Sequence, residues 1–137
     1  MKFVMLSLAV AALLQSAAPL RSVGKGVISG IEVRREVVVR APAEWASLWK
    51  DHGSREPVPA VDFSRDMVVG IFLGRRSTGG YGVEIIRAEG SGGTTVVEYV
   101  ETTPSPDAIT SQVLTAPFHL AAIPRQDGEV SFRKAQK

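Results

Sequence analysis

The sequence contains no cysteine among its 137 residues. This absence excludes disulfide bonds, and it also excludes a lipid attached to a cysteine thiol after export. Histidine is nearly absent as well, since only His52 and His119 occur. A zinc site usually needs at least three histidine, cysteine or carboxylate ligands, and no suitable spacing exists. We therefore expect neither a metal site nor a cofactor.

The charged residues show no block of one sign. Sixteen basic and 14 acidic residues are spread along the chain and give a formal charge of +2. Nucleic-acid binding needs clustered basic residues, often with aromatic residues between them, so no nucleic-acid partner is expected. The length and the 45% hydrophobic content suffice for one domain with a core and leave no room for a second.

Residues 1–18 have the pattern of a secretory signal peptide. Lys2 provides a short positive region, residues 3–14 are almost entirely apolar, and residues 15–18 end in small side chains. The apolar run is shorter than the ~20 residues that span a bilayer. Export to the periplasm or the extracellular space is expected, without stable membrane insertion after cleavage. A retained N-terminal anchor is the alternative, and Pro19 leaves the cleaved bond undetermined.

The remaining chain is predicted to form a lead-in with the start of a first strand (19–29), one β domain (30–133) and a frayed tail (134–137). Valine-rich and isoleucine-rich segments predict strands at 27–33 and 36–40. A helix is predicted from about Pro42 to His52, because Pro42 suits a first turn and Gly53 suits a stop. Trp45, Leu48 and Trp49 share one face of it, which indicates a cover for a sheet rather than a ligand platform. His52 is interpreted as a cation at the helix C-terminus.

An unbroken apolar run at 67–73 predicts a strand buried on both faces, between the tryptophan helix and a sheet. Residues 74–81 are predicted to be a hairpin loop to the next strand, and a turn at 89–93 leads to a strand at 94–101, which completes an antiparallel meander. Short strands are predicted at 112–114 and 117–124. Asp127-Gly128 predicts a hairpin that returns 129–133 onto the strand at 117–124. The expected fold is mainly β, a small antiparallel sandwich or partly open barrel.

The loop at 74–81 contains two arginines, two hydroxyl residues and a glycine pair, but no general base or metal ligand. Gly79-Gly80 precedes a strand, whereas a phosphate cradle opens a helix. Two interpretations stay open at this point: the loop is a recognition surface, or it is only a turn with Tyr81 in the core.

Catalysis is not expected. His119 is interpreted as a half-buried structural residue, and no pattern singles out a triad from His119, Asp62 or Asp66, and a serine. The candidate serine nucleophiles are Ser64, Ser77 and Ser111.

Residues 62–74 and 76–85, which include Thr78-Gly79-Gly80-Tyr81, resemble the PrcB C-terminal domain family. Residues 45–49 and 114–119 resemble further elements of this family, so the similarity covers about 30–125. The resemblance implies an exported bacterial protein without catalytic residues, an accessory or stabilising subunit of a secreted protease complex. The expected protein-binding residues are Arg75, Arg76, Thr78, Gly79, Gly80, Tyr81, Pro117, Phe118 and His119.

Residues 77–81 also resemble the Pro-Thr-Thr-Gly-Tyr loop of chagasin-type cysteine protease inhibitors. Val83 stands where those inhibitors have a tryptophan, and their Arg-Pro-Trp element does not occur. Protease inhibition is therefore the second hypothesis.

Overall fold

Seven strands and one helix make up the described part of the chain, residues 17–136, in a computed structural model. The predicted signal peptide falls almost wholly on residues 1–16, which lie outside the described residues. The elements are β1 (Arg21–Gly26), β2 (Arg35–Val39), α1 (Pro42–His52), β3 (Asp66–Phe72), β4 (Gly82–Ser91), β5 (Thr94–Thr102), β6 (Phe118–Pro124) and β7 (Glu129–Lys134). The fold is a small β-sandwich, which confirms the predicted class.

The first sheet has the strand order β1-β6-β3-β2, and all of its pairs are antiparallel. Its inner strand β3 is covered on both faces. Met67, Val69 and Ile71 pack against the second sheet, while Val68 and Phe72 pack against the helix. This arrangement explains the unbroken apolar run and confirms the prediction of a doubly buried strand.

The second sheet has the order β4-β5-β7. β4 and β5 form the predicted hairpin, whose turn uses positive φ angles of 58° at Gly92 and 84° at Gly93. β7 runs parallel to β5 and does not return onto β6, so the hairpin predicted at Asp127-Gly128 is wrong. The inward residues Val130 and Phe132 pack on the core between the sheets, and this burial determines the partner of β7.

The helix lies where it was predicted, with Trp45, Leu48 and Trp49 buried on the first sheet. The indole N–H of Trp49 donates to the carbonyl of Glu56 at 2.9 Å, which fixes the segment that follows the helix. His52 is buried too, and burial lowers its pKa. Its Nδ1 lies 2.8 Å from Ser29 Oγ. The interpretation of His52 as a cation at the helix end is therefore wrong.

The first strand is not the one that the sequence predicts. Residues 21–26, assigned to the lead-in, form β1, whereas 27–33 form a connection with no strand. Gly26 fits closely beside Phe118, because a Cβ added there would lie 3.3 Å from the ring, whereas a Cβ at Gly24 would lie at an ordinary contact distance of 3.5 Å. Tertiary packing thus overrides the β propensity of Val27 and Ile28. The strand expected at 112–114 is absent as well, and only Thr115 makes an isolated bridge, to Arg76.

Candidate functional site

Residues 73–81 carry the chain from β3 in the first sheet to β4 in the second. The prediction of a hairpin is therefore wrong. The alternation of apolar and polar residues after Tyr81 indicated a strand, but it did not determine the sheet to which that strand belongs. The loop is held by the β5–β6 connection. Arg76 and Thr115 exchange two backbone hydrogen bonds of 2.8 and 2.9 Å, and the Thr115 hydroxyl donates to the carbonyl of Thr78 at 2.8 Å.

The glycine pair allows this close packing. A Cβ on Gly79 would lie 2.6 Å from Ser111 Oγ. Gly80 has a φ of 91°, and a Cβ there would lie 2.9 Å from Pro104 Cβ. Larger residues at either position would push the two loops apart. The Thr78-Gly79-Gly80-Tyr81 element therefore joins two loops at one end of the sandwich.

The predicted binding residues of this loop differ in exposure. Arg75 and Gly80 are exposed, whereas Arg76, Thr78, Gly79 and Tyr81 are partly buried. The Arg76 guanidinium lies over the Tyr81 ring, 5.6 Å from its centroid, and also donates to the carbonyls of Leu73 and Arg75. Arg76 and Tyr81 therefore support the loop, and Arg75 presents the charge to solvent.

Pro117, Phe118 and His119 lie beside this loop but beneath the surface. The Leu73 N–H, directly before the loop, donates to the carbonyl of Pro117 at 2.9 Å. All three side chains are buried, and the Phe118 ring stacks on Phe72 with 5.8 Å between centroids. They position the loops and present no side chain to a partner.

His119 joins the two sheets through its imidazole. The Ile85 N–H on β4 donates to Nδ1 at 2.8 Å, and Nε2 lies 3.0 Å from Ser22 Oγ on β1. A backbone N–H only donates, so Nδ1 accepts and we assign the ring proton to Nε2, which donates to Ser22. Burial, and to a smaller extent the charge of Lys25, lowers the pKa of His119 despite the opposing effect of Glu84.

Ser22 and His119 resemble a nucleophile and its general base, but the imidazole of His119 has the wrong tautomer for that role. A general base needs a free lone pair directed at the hydroxyl, and here that nitrogen carries the proton. Asp62, a predicted alternative partner, instead accepts from the hydroxyl of Ser64 at 2.6 Å. The geometry assigns His119 a structural role.

The two connections next to this loop also carry exposed apolar side chains, which sequence reasoning did not identify. Six of the eight large hydrophobic side chains that are exposed in the described residues lie in the β1–β2 and β5–β6 connections. They are Val27, Ile28, Val33, Ile109, Val113 and Leu114. We call these six residues the apolar end. Ile28 is 80% exposed and Leu114 59% exposed, and with Arg75 they line one small cavity.

The connections that carry the apolar end are fixed to the sandwich. Arg34 donates to Glu101 at 2.8 Å and to the Tyr99 hydroxyl at 2.9 Å, which attaches the β1–β2 connection to the second sheet. Burial alone would raise the pKa of Glu101, but its contacts with Arg34 and Lys134 outweigh burial and lower it. The Ala116 N–H donates to the carbonyl of Val27 at 2.8 Å, so the two apolar connections are joined directly.

The outer faces of the two sheets are mostly covered or charged. The helix covers the outer face of the first sheet, and on the outer face of the second Glu98 pairs with Arg133 at 2.9 Å and Arg87 at 3.7 Å. Within residues 17–136, no group of three or more potential ligands could hold a metal ion. The helix seen in this part of the chain is also too short to cross a bilayer.

Comparison with known proteins supports one assignment. Searches of curated proteins and of solved structures give no significant match. Residues 67–124 match the sequence model of a family described as PrcB C-terminal. The matched segment is shorter than the resemblance expected at about 30–125, and it includes the whole of the 74–81 loop. The resemblance is confirmed over residues 67–124, from β3 to β6, which are similar to the PrcB C-terminal family.

Proposed function

We propose that the protein is an exported, non-catalytic binding domain that serves as an accessory or stabilising subunit of a secreted protease complex. The observation that carries this proposal is the apolar end. Large exposed apolar patches commonly mark sites of protein association. Here the residues of the apolar end lie on connections that are fixed by hydrogen bonds, so little conformational entropy is lost when a partner binds.

Arg75 and the apolar residues have different roles in this proposal. Ile28 and Leu114 supply apolar area that is removed from water in the complex, which favours a slow dissociation. Arg75 lies at the edge of the same cavity, where a charge mainly affects the rate of association. Arg76, Tyr81, Gly79 and Gly80 hold the loop in position.

Inhibition of the chagasin type has less support. Such inhibitors insert a loop into the active-site cleft of a protease. In this protein residues 77–81 pack against Ser111 and Pro104, and the adjoining Thr115 bridges to Arg76. Insertion would require this packing to open.

The test uses purified full-length mature protein as bait for the exported proteins of the source cells. Ile28→Asp combined with Leu114→Asp places two charges in the apolar end. Ile86→Asp is the matched control, since Ile86 is 42% exposed outside the apolar end. We expect the wild type and the control to retain one protease at fixed stoichiometry, and the double variant to lose it at least tenfold. Chemical unfolding should show that all three proteins are folded.

Equal retention of the protease by all three proteins, or its absence from the wild-type complex, would refute the proposal. Inhibition predicts a different result, a stoichiometric loss of papain activity when the wild type is added.

A further inference from the structure

A groove of about 680 Å³ runs along β1, outside the 74–81 loop. One wall is β1 itself, and the other is the segment that follows the helix, including Arg55, Pro57 and Pro59. Trp49, His52 and Phe118 also line it. Its volume is within the usual range of ligand sites, about 300 to 1,000 Å³.

β1 is an edge strand. It pairs with β6 on one side, and no other described strand pairs with its second side. The backbone groups of such an edge can pair with an added strand. The N-terminal residues Ala17 and Ala18 pair with β4 at Glu89 and Ala88, and so they do not cover β1.

Gly24 and Gly26 lie on the groove side of β1. In register they stand opposite Leu120 and Phe118, whose side chains face the helix. A Cβ added at Gly24 would lie 3.5 Å from the Phe118 ring and 3.8 Å from Trp49, which are ordinary contact distances. Glycine within a strand often marks a place where another backbone approaches closely. Here the two missing side chains leave room above Trp49 and Phe118 for a side chain of a strand that pairs with the edge of β1.

The charges of the groove favour an uncharged occupant. Its charged lining residues are Lys25, Arg55 and Glu56, and Lys25 pairs with Glu84 at 3.5 Å on the side of the second sheet. The remaining Arg55 and Glu56 have opposite signs. A nucleic acid or an anionic membrane would need a basic surface, whereas this groove is nearly neutral and apolar.

The groove is continuous with the apolar end. Val27 and Ile28 line both the groove and the small cavity beside Arg75 and Leu114. A partner bound at the apolar end could therefore extend a segment of its chain along β1 without leaving the surface.

We propose that the free edge of β1 binds an extended segment of the partner polypeptide, which places a bulky apolar side chain in the groove over Trp49 and Phe118. The identity of the partner rests on the proposed function, but the binding mode does not. Backbone hydrogen bonds to β1 supply affinity for any extended chain, and the groove selects the apolar side chain.

The test begins with a displayed library of random nine-residue peptides selected against the full mature protein. The best binder is then made as a synthetic peptide, and its affinity is measured by the change in tryptophan emission. Gly24→Val fills the groove from β1 with a residue that favours strands. Gly90→Val is the matched control, because Gly90 lies in β4 with only Gln126 at 4.0 Å.

We expect the selected peptides to share one bulky apolar residue. Gly24→Val should weaken binding at least tenfold, and Gly90→Val by less than twofold. Methylation of the peptide amides that face β1 should abolish binding, while methylation of the alternate amides should not. The inference is overturned if no peptide is selected, if Gly24→Val binds as well as the wild type, or if both methylated series bind.

The same Gly24→Val variant separates this inference from the proposed function. Retention of the protease partner by Gly24→Val, together with its loss from the Ile28 and Leu114 double variant, would leave the proposed function intact. The same result would refute the role of the β1 edge in binding that partner.

Discussion

Acid is expected to weaken the connection between the two sheets, because His119 must be neutral to accept from Ile85. The imidazole is 3% exposed, and Nδ1 receives the Ile85 N–H at 2.8 Å. Protonation would place a second proton on Nδ1, so that two donors would face each other in the core. The perturbation to apply is therefore a change of pH, combined with replacement of His119.

The direction follows from the lowered pKa values of His119 and His52, relative to an ordinary value of 6.5. A lowered pKa in the folded state means that the unfolded chain binds more protons between the folded and unfolded pKa values. The contribution to stability is complete above about pH 6.5 and is lost as the pH falls toward the folded pKa. Each histidine changes the free energy of unfolding by about 1.4 kcal/mol per pH unit within this window.

The assay is urea denaturation at half-unit intervals from pH 8 to pH 5. The wild type should lose up to about 2.7 kcal/mol per unit below pH 6, and both His119→Phe and His119→Asn should lose about half as much. At pH 8, His119→Phe should cost about 1 to 3 kcal/mol, since the buried Ile85 N–H loses its acceptor. Asp62 and Glu101 have lowered pKa values and titrate below this window. An unchanged pH slope in both variants would refute the reasoning.

Two further predictions concern core positions. Gly70→Ala should destabilise the fold by about 1 to 3 kcal/mol in urea denaturation, because its Cβ would collide with Leu120 and lie 2.9 Å from Val37. Gly90→Ala, at an open strand position, should have less effect, and equal costs would contradict the packing argument. Thr95→Val should raise the free energy of unfolding by about 1 kcal/mol, because the buried Thr95 hydroxyl has no hydrogen-bond partner within the described residues. A lower midpoint for this variant would show that the hydroxyl is satisfied in solution.

Local signals predicted the helix and the central strand well. Pro42, Gly53 and the Trp45 stripe act within one element, and the apolar run of β3 reports its burial directly. Strand partners depend on distant contacts. A turn such as Asp127-Gly128 ends one strand, but it does not determine whether the next strand pairs with its neighbour or with β5.

In the candidate site as well, local sequence predicted some features, whereas the exposure of side chains depended on distant contacts. The sequence drew attention to Thr78-Gly79-Gly80-Tyr81 and to residues 117–119, and the structure joins the neighbouring residues Arg76 and Thr115 by backbone hydrogen bonds. The sequence could not show that Phe118 is buried, or that Ile28 and Leu114 are exposed. Their β-branched and aliphatic character is the same in a core strand as in a binding surface, and only the packing of the connections distinguishes the two.

The position of β6 has a consequence for synthesis. β6 stands between β1 and β3, yet it comes more than 90 residues after β1 in the chain, with Ser22 paired to Ala121. The first sheet therefore cannot be completed until nearly the whole chain has left the ribosome, because β6 pairs with β1 and β3 over long sequence separations, and such pairing is slow. A chain that stays unfolded until it is complete remains competent for threading through a narrow translocation channel, as the proposed export requires.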